Sequence, residues 1–575
     1  MNIRLDSRAA ITCHEYLHKK NAPLAFPGLK PDPIDSVAQE FKEQGGAHEL
    51  NVIAALLTSV SNVIQINLKM SQKERQVQTA MALLDTEALF ILGADIGEHT
   101  EIELGARTDK IIGLTQRSSR PDLLVRMGES ANGTPTWAPV DIKSHSAITK
   151  NKSNKVYVSQ TKSILPTGGQ EQEGRLDPND LHQLAHYTRH LQALCLDTED
   201  LWVGIIGRDI DSCVWSRIGE VVIGSGKGQT SFLSDHDISF SQTVEIVRLS
   251  MVENSNLSQK SGIVPINSSG KMGCTACTYK STCLAEMEMF DYGNGHVTLL
   301  ARVTPTVVGK NMPDIQSIRE LREVVPINDA MVAAQIRARV WKTEIPELLN
   351  PAEAFDLPEF DIEIDIDLEN SMEALRELEI GEPIGRDRLY LYGYGIHDRT
   401  IDLDWQSAPI DTFFDYSNTD EGEYEVMFKM WSKLQQEIEN AEKVGKTIGV
   451  FHYSPHEFSW WKKFAKRFEG KQGVPTLLEV EEFKEKYLVD LYTYAQKISF
   501  PTMSYSIKLL APIAKFNWDV DEAGGANSLL KYKTATDMSL PPSERDEAIA
   551  WLDSYNRDDV RATFAVRNYI RGLSL

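Results

Sequence analysis

The 575-residue sequence has few cysteines, an excess of acidic over basic residues and no long hydrophobic segment. Six cysteines are too few for the disulfide framework of a secreted protein. No segment approaches the ~20 apolar residues that cross a bilayer, and the first twenty residues lack the apolar core of a signal peptide. We therefore expect a cytoplasmic protein that makes no membrane contact.

The charge balance narrows the classes of function. Acidic residues outnumber basic ones by 83 to 60, which gives a formal net charge of −23. This balance excludes a protein that coats nucleic acid through bulk positive charge. It permits an enzyme whose carboxylates bind metal ions that in turn contact phosphate. The length corresponds to several domains of ~150 residues.

The hydrophobic pattern predicts an α/β protein. Segment 45–68 has the apolar spacing of a helix, while PDLLVRM (121–127) and TWAPVDIK (136–143) predict two strands joined by a turn. The polar segment 144–180 predicts a loop, and DLHQLAHYTRHLQAL (180–194) predicts a helix.

Two carboxylates and a lysine lie on the two predicted strands. Asp122 opens the first strand, and Asp141 and Lys143 form Asp-x-Lys on the second. Residues i and i+2 of a strand face the same side, so Asp141 and Lys143 project together. Two carboxylates make a hard-oxygen site for Mg²⁺, and a lysine can orient water or hold a phosphate. The alternative is an ordinary ion pair at a strand edge.

This arrangement resembles the RecB-like branch of the PD-(D/E)xK nucleases. That branch places a His or Glu on an upstream helix, matched by His48 and Glu49 in GGAHEL, and a Gln-x3-Tyr on a later helix. The resemblance implies a restriction-endonuclease-like fold that binds Mg²⁺ or Mn²⁺. Its implied metal ligands are His48, Asp122 and Asp141, and its implied catalytic residues are Asp122, Asp141, Lys143, Gln183 and Tyr187.

Four cysteines bracket these motifs. Cys274, Cys277 and Cys283 form C-x2-C-x5-C, and Cys13 stands alone near the N-terminus. Four thiolates can bind Zn²⁺ or a 4Fe-4S cluster. The spacing of one plus three resembles the iron–sulfur staple of AddB-type and CRISPR-associated RecB-like nucleases. The resemblance implies a 4Fe-4S cluster on all four cysteines, with Zn²⁺ as the alternative.

A second acidic constellation begins at EIDIDLEN (363–370). The period of two places Asp365, Asp367 and Glu369 on one face of a strand. This strand lies in a very acidic region, with 14 acidic residues and one arginine between positions 344 and 382. Bound cations would neutralise part of that charge, whereas the alternative is a merely solvated acidic strand.

These residues resemble the motifs of DnaQ-type, ribonuclease-H-like exonucleases. Such enzymes open with D-x-E, continue with a polar residue and an acid before a helix, and end with Tyr-x3-Asp. The resemblance implies a two-metal site in which the tyrosine orients water, and Glu457 departs from the usual Asp. The implied metal ligands are Asp365, Asp367, Glu369 and Asp559, the implied catalytic residues are Asp367, Glu369, Glu457, Tyr555 and Asp559, and His452 is the polar partner of Glu457.

Together the two halves resemble a bacterial fusion of a RecB-like iron–sulfur nuclease with a ribonuclease-H-like (YprB/DnaQ-type) domain. We expect the nuclease domain at 1–290, a helical connector at 291–357 and the second domain at 358–575. The resemblance implies a metal-dependent exonuclease that acts on single-stranded DNA or DNA ends in repair or recombination. Alternatives are a nucleic-acid-binding scaffold that recruits a helicase partner, and an RNA-directed exonuclease that uses the C-terminal domain.

Overall fold

The computed structural model describes residues 3–573 except 23–28, 34–35, 106–115, 225–228, 256–276, 351, 353–354, 372–386, 400, 402–408 and 522. The described chain forms two compact units, the first ending at Thr282 and the second beginning at Cys283. Both units are mixed α/β structures, which confirms the predicted class. No helix in this part of the chain has the length and apolar character needed to cross a membrane.

An eight-stranded mixed sheet organises the first unit, in the order β1-β2-β3-β4-β7-β8-β5-β6. Strands β3 and β4 are the predicted pair; they run antiparallel, and β4 runs parallel to β7. The strands are β1 (Val63–Gln65), β2 (Phe90–Leu92), β3 (Leu123–Glu129), β4 (Pro135–Ile142), β5 (Lys155–Gln160), β6 (Gln170–Glu173), β7 (Trp202–Ile206) and β8 (Ser212–Arg217), with a small separate pair, β9 (Val222–Ile223) and β10 (Thr230–Ser231).

Helices α2 and α5 of the first unit carry the upstream and downstream motifs. Helix α5 begins at Pro178 because Asp177 caps it: the Asp177 carboxylate accepts from the Asn179 N–H, and proline suits the first helical turn. The helices are α1 (His14–Asn21), α2 (Ser36–Ser59), α3 (Gln72–Leu83), α4 (Glu98–Leu104), α5 (Pro178–Ala193) and α6 (Phe232–Ser255).

Two sequence predictions for this unit are wrong in part. The helix predicted over 45–68 ends at Ser59, and β1 follows it. The loop predicted over 144–180 contains strands β5 and β6, which lie at one end of the sheet. All four residues of β6 are exposed, so the strand has no apolar alternation from which to predict it.

A five-stranded sheet organises the second unit, in the order β14-β13-β12-β15-β16. Strand β12, the predicted acidic strand, is central: it runs antiparallel to β13 and parallel to β15. The strands are β12 (Ile362–Ser371), β13 (Arg388–Asp398), β14 (Ile410–Phe414), β15 (Ile448–His452) and β16 (Leu488–Asp490), with a separate short pair, β11 (Glu347–Leu348) and β17 (Ile498–Ser499).

The segment predicted as a helical connector, 291–357, contains three further helices of this unit, α8, α9 and α10, whose bounds are given below. Helix α7 (Lys280–Gly293) contains the division between the units. The remaining helices are α8 (Pro305–Asn311), α9 (Ile318–Glu323), α10 (Asp329–Thr343), α11 (Asp420–Lys443), α12 (His456–Arg467), α13 (Leu477–Tyr487), α14 (Leu491–Ala495), α15 (Ile507–Ile513), α16 (Gly525–Thr536) and α17 (Pro542–Arg571).

Apolar and acidic residues alternate along β12, so one face of the strand joins the hydrophobic core and the other face is acidic. Its apolar residues Ile364, Ile366 and Leu368 are buried in a hydrophobic core that also contains Trp460 and Trp461. Because successive strand residues face opposite sides, the acidic residues of β12 all face away from that core. Helix α17 packs against this acidic face.

Candidate functional site

Arginines of α17 neutralise half of the acidic face of β12. Arg567 donates from Nε to Asp365 Oδ1 at 3.1 Å and from Nη2 to Asp365 Oδ2 at 2.5 Å. Arg567 also pairs with Glu363, and Arg571 donates to Glu363 Oε1 at 2.6 Å. Asp365, predicted as a metal ligand, is therefore engaged through both carboxylate oxygens and lies outside the carboxylate group described next.

The other half of this face forms a three-carboxylate cluster. Asp367 and Glu369 of β12 and Asp559 of α17 each offer one ligand atom, and these atoms lie within 4.8 Å of one another. Among the described residues, this is the only such group of three or more His, Cys, Asp or Glu side chains. Carboxylate oxygens are the ligands that Mg²⁺ and Mn²⁺ prefer, so the donor set fits the predicted metal.

Hydrogen bonds fix the two carboxylates of the strand. Asn556 Nδ2 donates to Asp367 Oδ2 at 2.8 Å. Ser528 Oγ, on α16, donates to Glu369 Oε2 at 2.8 Å. Each donor holds one oxygen of its carboxylate and leaves the other for a metal ion, so α16 and α17 preorganise the cluster.

Asp559 has a different environment because it meets a cation of the chain. Lys508 Nζ donates to Asp559 Oδ1 at 2.5 Å, and Trp518 Nε1 donates to the same oxygen at 2.6 Å. Tyr555 lies one helical turn before Asp559, and its hydroxyl contacts the same carboxylate. The Tyr-x3-Asp motif predicted Tyr555 and Asp559, whereas no motif predicted Lys508 or Trp518.

Burial and mutual repulsion make the cluster costly to ionise without a cation. Desolvation, followed by repulsion from Asp559 and Glu369, raises the pKa of Asp367 well above its ordinary value. Desolvation and repulsion from Asp559 raise the pKa of Glu369 to about 8. Desolvation also raises the pKa of Tyr555, with the same carboxylates contributing, so its hydroxyl keeps its proton. A divalent cation would relieve this repulsion.

Glu457 lies near the cluster but is engaged elsewhere. Its Oε2 lies 2.9 Å from His452 Nδ1, and both side chains are buried. Burial disfavours the charged imidazole, but the contact with Glu457 outweighs it and raises the pKa of His452. The two residues of the predicted middle motif thus form a pair with each other.

The structure brings most of the predicted residues of the first unit into one chain of contacts. Lys143 Nζ donates to Asp141 Oδ2 and to Gln183 Oε1, both at 3.0 Å. Gln183 Nε2 donates to the Tyr187 hydroxyl at 2.8 Å. Asp122 Oδ2 accepts from the backbone N–H of Ile142 at 2.7 Å, which sets it beside the strand that carries Asp141.

Electrostatics couple these groups. Desolvation, with repulsion from Asp141 and Glu49, raises the pKa of Asp122 well above its ordinary value. Desolvation raises the pKa of Asp141, although Lys143 opposes the shift. Burial disfavours the charged form of Lys143, but attraction to Asp141, Asp122 and Asp180 outweighs it and raises the pKa of the lysine.

The two upstream candidates on α2 have different environments. His48 is fully buried, and its Nε2 lies 3.2 Å from the Gly207 carbonyl oxygen. Glu49 and Asp122 together line a cavity of about 180 Å³, and desolvation followed by repulsion from Asp141 raises the pKa of Glu49. The structure therefore places Glu49, rather than His48, among the carboxylates.

Two of the four candidate cluster cysteines share a cavity. Cys13 and Cys277 line a space of about 410 Å³ in the first unit. Burial raises the pKa of the Cys13 thiol, and Cys277 contributes to the shift. Cys283 is buried on α7, and Cys274 lies outside the described residues. No group of three cysteines is found among the described residues, so the cluster stays a prediction.

Comparison with known families identifies the C-terminal part of the chain. A family model of the RNase H superfamily matches residues 402–571. That range includes Asp559 but not β12, so the fold brings Asp367 and Glu369 to the matched segment. The C-terminal part is therefore RNase H-like, and this superfamily consists typically of nucleases that use divalent metals. No curated protein matches the chain, and no solved structure matches it.

One sequence signal was available for the missed residues of α17. Helical residues three and four positions apart share a face, so Asn556, Arg567 and Arg571 follow from Asp559 by steps of three and four. Lys508 and Trp518 lie more than 40 positions from Asp559 and have no such periodic relation to it. Only the tertiary fold brings them to the cluster.

Proposed function

We propose that this protein is a metal-dependent nuclease that hydrolyses DNA phosphodiester bonds, acting as an exonuclease on single strands or ends in repair or recombination. The observation that carries the proposal is the cluster of Asp367, Glu369 and Asp559 in an RNase H-like domain. Its carboxylates come from the central strand β12 and the long helix α17. None of the three belongs to the ion pairs that Arg567 and Arg571 form with Glu363 and Asp365.

The residues of the second unit have distinct parts in this proposal. Asp367, Glu369 and Asp559 would hold Mg²⁺ or Mn²⁺, which when bound stabilises charge on phosphate and promotes attack by water. Tyr555 keeps its proton and contacts Asp559, so it can orient a water molecule by hydrogen bonding. Asn556 and Ser528 hold the strand carboxylates in place.

A second nuclease centre in the first unit is favoured by the contacts of Lys143. A lysine held between a carboxylate and a glutamine is positioned to contact a phosphate or a water molecule. Asp122, Asp141 and Glu49 supply hard oxygen ligands around it. This supports the RecB-like, PD-(D/E)xK assignment for residues 1–290, with Glu49 added to the predicted ligands and 291–357 as a connector.

We further propose a 4Fe-4S cluster on Cys13, Cys274, Cys277 and Cys283. The shared cavity of Cys13 and Cys277 supports it. Thiolate-ligated iron gives a brown protein that absorbs near ~400 nm, and Cys277→Ala should bleach that absorption. If the protein is instead colourless and contains stoichiometric zinc, the four cysteines bind Zn²⁺ and not an iron–sulfur cluster.

The experiment compares two site variants on end-labelled single- and double-stranded DNA and on RNA, with Mn²⁺. Lys143→Ala tests the first centre, with Lys152→Ala, an exposed lysine of the same region, as its control. Asp559→Asn tests the second, with Asp546→Asn, an exposed acid of the same helix, as its control. Loss of DNA cleavage in either site variant supports the proposal.

The same assays distinguish the two alternative functions, an RNA-directed exonuclease and a nucleic-acid-binding scaffold. Cleavage of RNA alone, abolished by Asp559→Asn, would identify an RNA-directed exonuclease. Binding of nucleic acid without cleavage in any arm would identify a scaffold with degenerate sites, and a search for a helicase partner would follow. End-labelled products also report polarity, because a 5′ label and a 3′ label are released in opposite orders.

A further inference from the structure

The carboxylate cluster of the second unit already contains a cation that belongs to the chain. Lys508, on α15, places Nζ 2.5 Å from Asp559 Oδ1. The same Nζ lies 4.1 Å from the ring centre of Trp518 and 4.3 Å from that of Tyr555. A cation this close to two aromatic faces is attracted by both. The ammonium is therefore held in place beside the carboxylate.

The chain occupies part of every carboxylate in the cluster. One oxygen of Asp367 and one of Glu369 accept the amide and hydroxyl hydrogen bonds already described. Asp559 Oδ1 accepts from both Lys508 and Trp518. In each carboxylate the other oxygen is then the one that these hydrogen bonds leave unengaged. Three carboxylate oxygens completed by water suit one Mg²⁺ or Mn²⁺, whereas two ions ~4 Å apart need more ligands.

A fourth carboxylate for a second ion is missing from the group. Glu457 is the residue that the motif offers for that part, and it lies outside the three-carboxylate group among the described residues. Its Oε2 is bound by His452 at 2.9 Å in a buried pair. Recruiting Glu457 to a metal would break this pair and leave the imidazole without its partner.

Charge balance leads to the same count of ions. Three ionised carboxylates carry −3, and one divalent cation with the Lys508 ammonium carries +3. We propose that this centre binds a single divalent cation and that Lys508 supplies the charge that a second metal ion provides in two-metal sites. Lys508 acts through Asp559 and is a positioning residue. The inference rests on the proposed metal-dependent function of this centre and replaces the two ions that the DnaQ-type resemblance implies.

The test counts Mn²⁺ ions on the full-length chain without measuring activity. The parent protein carries Asp122→Asn and Asp141→Asn, so that the first unit contributes no competing site. Calorimetric titration gives stoichiometry and affinity, and electron paramagnetic resonance separates an isolated Mn²⁺ from a spin-coupled pair. We expect one isolated ion in the parent, lost on Asp559→Asn.

Lys508→Met removes the charge, and Lys508→Gln does so with a polar side chain should Met disturb folding. We expect either variant to bind a second, coupled Mn²⁺ or to bind one ion at least tenfold more tightly. Lys508→Arg, which keeps the charge, and Lys531→Met, an exposed lysine on α16, should behave as the parent does.

Three results would overturn the inference. Two coupled ions in the parent would refute the single-cation centre. Lys508→Met and Lys508→Gln variants that match the parent in both stoichiometry and affinity would refute the part given to Lys508. If the parent binds no Mn²⁺, or if Asp559→Asn binds as much Mn²⁺ as the parent, the proposed metal centre itself is refuted.

Discussion

The Arg567 guanidinium and the Asp365 carboxylate form a buried, two-point ion pair only two residues from the Asp367 ligand position. Both side chains are completely inaccessible to solvent. The pair belongs to the half of β12 that arginines neutralise, and it adjoins the half whose carboxylates a divalent cation would neutralise. A single strand face thus carries both a structural anchor and the candidate metal centre.

Arg567→Met should strongly destabilise the second unit. Removing one partner of a buried pair leaves a buried charge uncompensated, at a cost of about 3–5 kcal/mol, and here both Asp365 and Glu363 lose a partner. Urea unfolding measures the loss. Arg399→Met, which removes an arginine paired at the surface with Glu359, should cost less than ~1 kcal/mol, and an equal loss in both variants would contradict this ranking.

Gly393→Ala should weaken the metal centre without touching a ligand. Gly393 of β13 is paired directly opposite Asp367 of β12. A Cβ there would overlap the Asn556 amide and lie 3.0 Å from Val560 Cγ2. Asn556 must then move, and Asp367 loses its hydrogen bond.

Calorimetry should show this as roughly tenfold weaker Mn²⁺ binding, since one charge-assisted hydrogen bond is worth about 1.5 kcal/mol or more. Gly525→Ala is the matched control because a Cβ at that position of α16 meets open space. Unchanged affinity in Gly393→Ala would show that Asn556 does not position Asp367.

Gln183→Ala should lower kcat of the first centre and change KM little. Gln183 holds Lys143 against Asp141 and is itself held by Tyr187, so its loss leaves the ammonium poorly oriented. A misplacement of this kind costs about 10²-fold. The assay uses an Asp559→Asn background to isolate the first unit. Gln183→Glu keeps an acceptor for Lys143 and should retain more activity; equal kcat in all three proteins would refute the positioning.

The first unit should lose stability in mild acid because it buries neutral histidines. Burial, with the nearby charge of Arg117, lowers the pKa of His236 to about 2, and His186 is shifted in the same direction. The unfolded chain binds a proton near pH 6.5 and the folded chain does not, so stability present above pH 6.5 falls as the pH falls towards 2.

At pH 5 the protonation of His236 in the unfolded chain alone should lower the free energy of unfolding by about 2 kcal/mol relative to neutral pH. Urea midpoints at pH 7.5 and pH 5 measure it, and His236→Phe should flatten the difference between them. His99→Gln, a substitution of a half-buried histidine on α4, serves as the control. If His236→Phe shows the same difference between the two urea midpoints as the unmodified protein, groups other than His236 cause the acid sensitivity.

The sequence periodicity of β12, an alternation of Ile with Asp and Glu, predicts the strand and its acidic face. It does not predict which acidic residues pair with arginine and which join the carboxylate cluster. Whether Asp365 or Asp367 meets metal depends on the register of α17 against β12, because Arg567 lies opposite one and Asn556 opposite the other. That register is set by tertiary packing, which a local pattern does not contain.

The orientation of α2 likewise depends on tertiary packing. Adjacent helical residues point about 100° apart, so only one of His48 and Glu49 can face the carboxylates. The rotation of the helix about its axis decides which one, and this rotation depends on packing with the sheet. The motif alone therefore does not distinguish His48 from Glu49.

The distance along the chain between partners has a consequence for synthesis. Asp367 and Asn556 are separated by 189 positions, and Asp365 and Arg567 by 202. Until α17 emerges from the ribosome and docks, β12 lacks its cationic partners and Asp559 is absent from the cluster. A nascent chain thus carries no complete carboxylate centre, and any hydrolytic activity of the second unit begins only when its long final helix is in place.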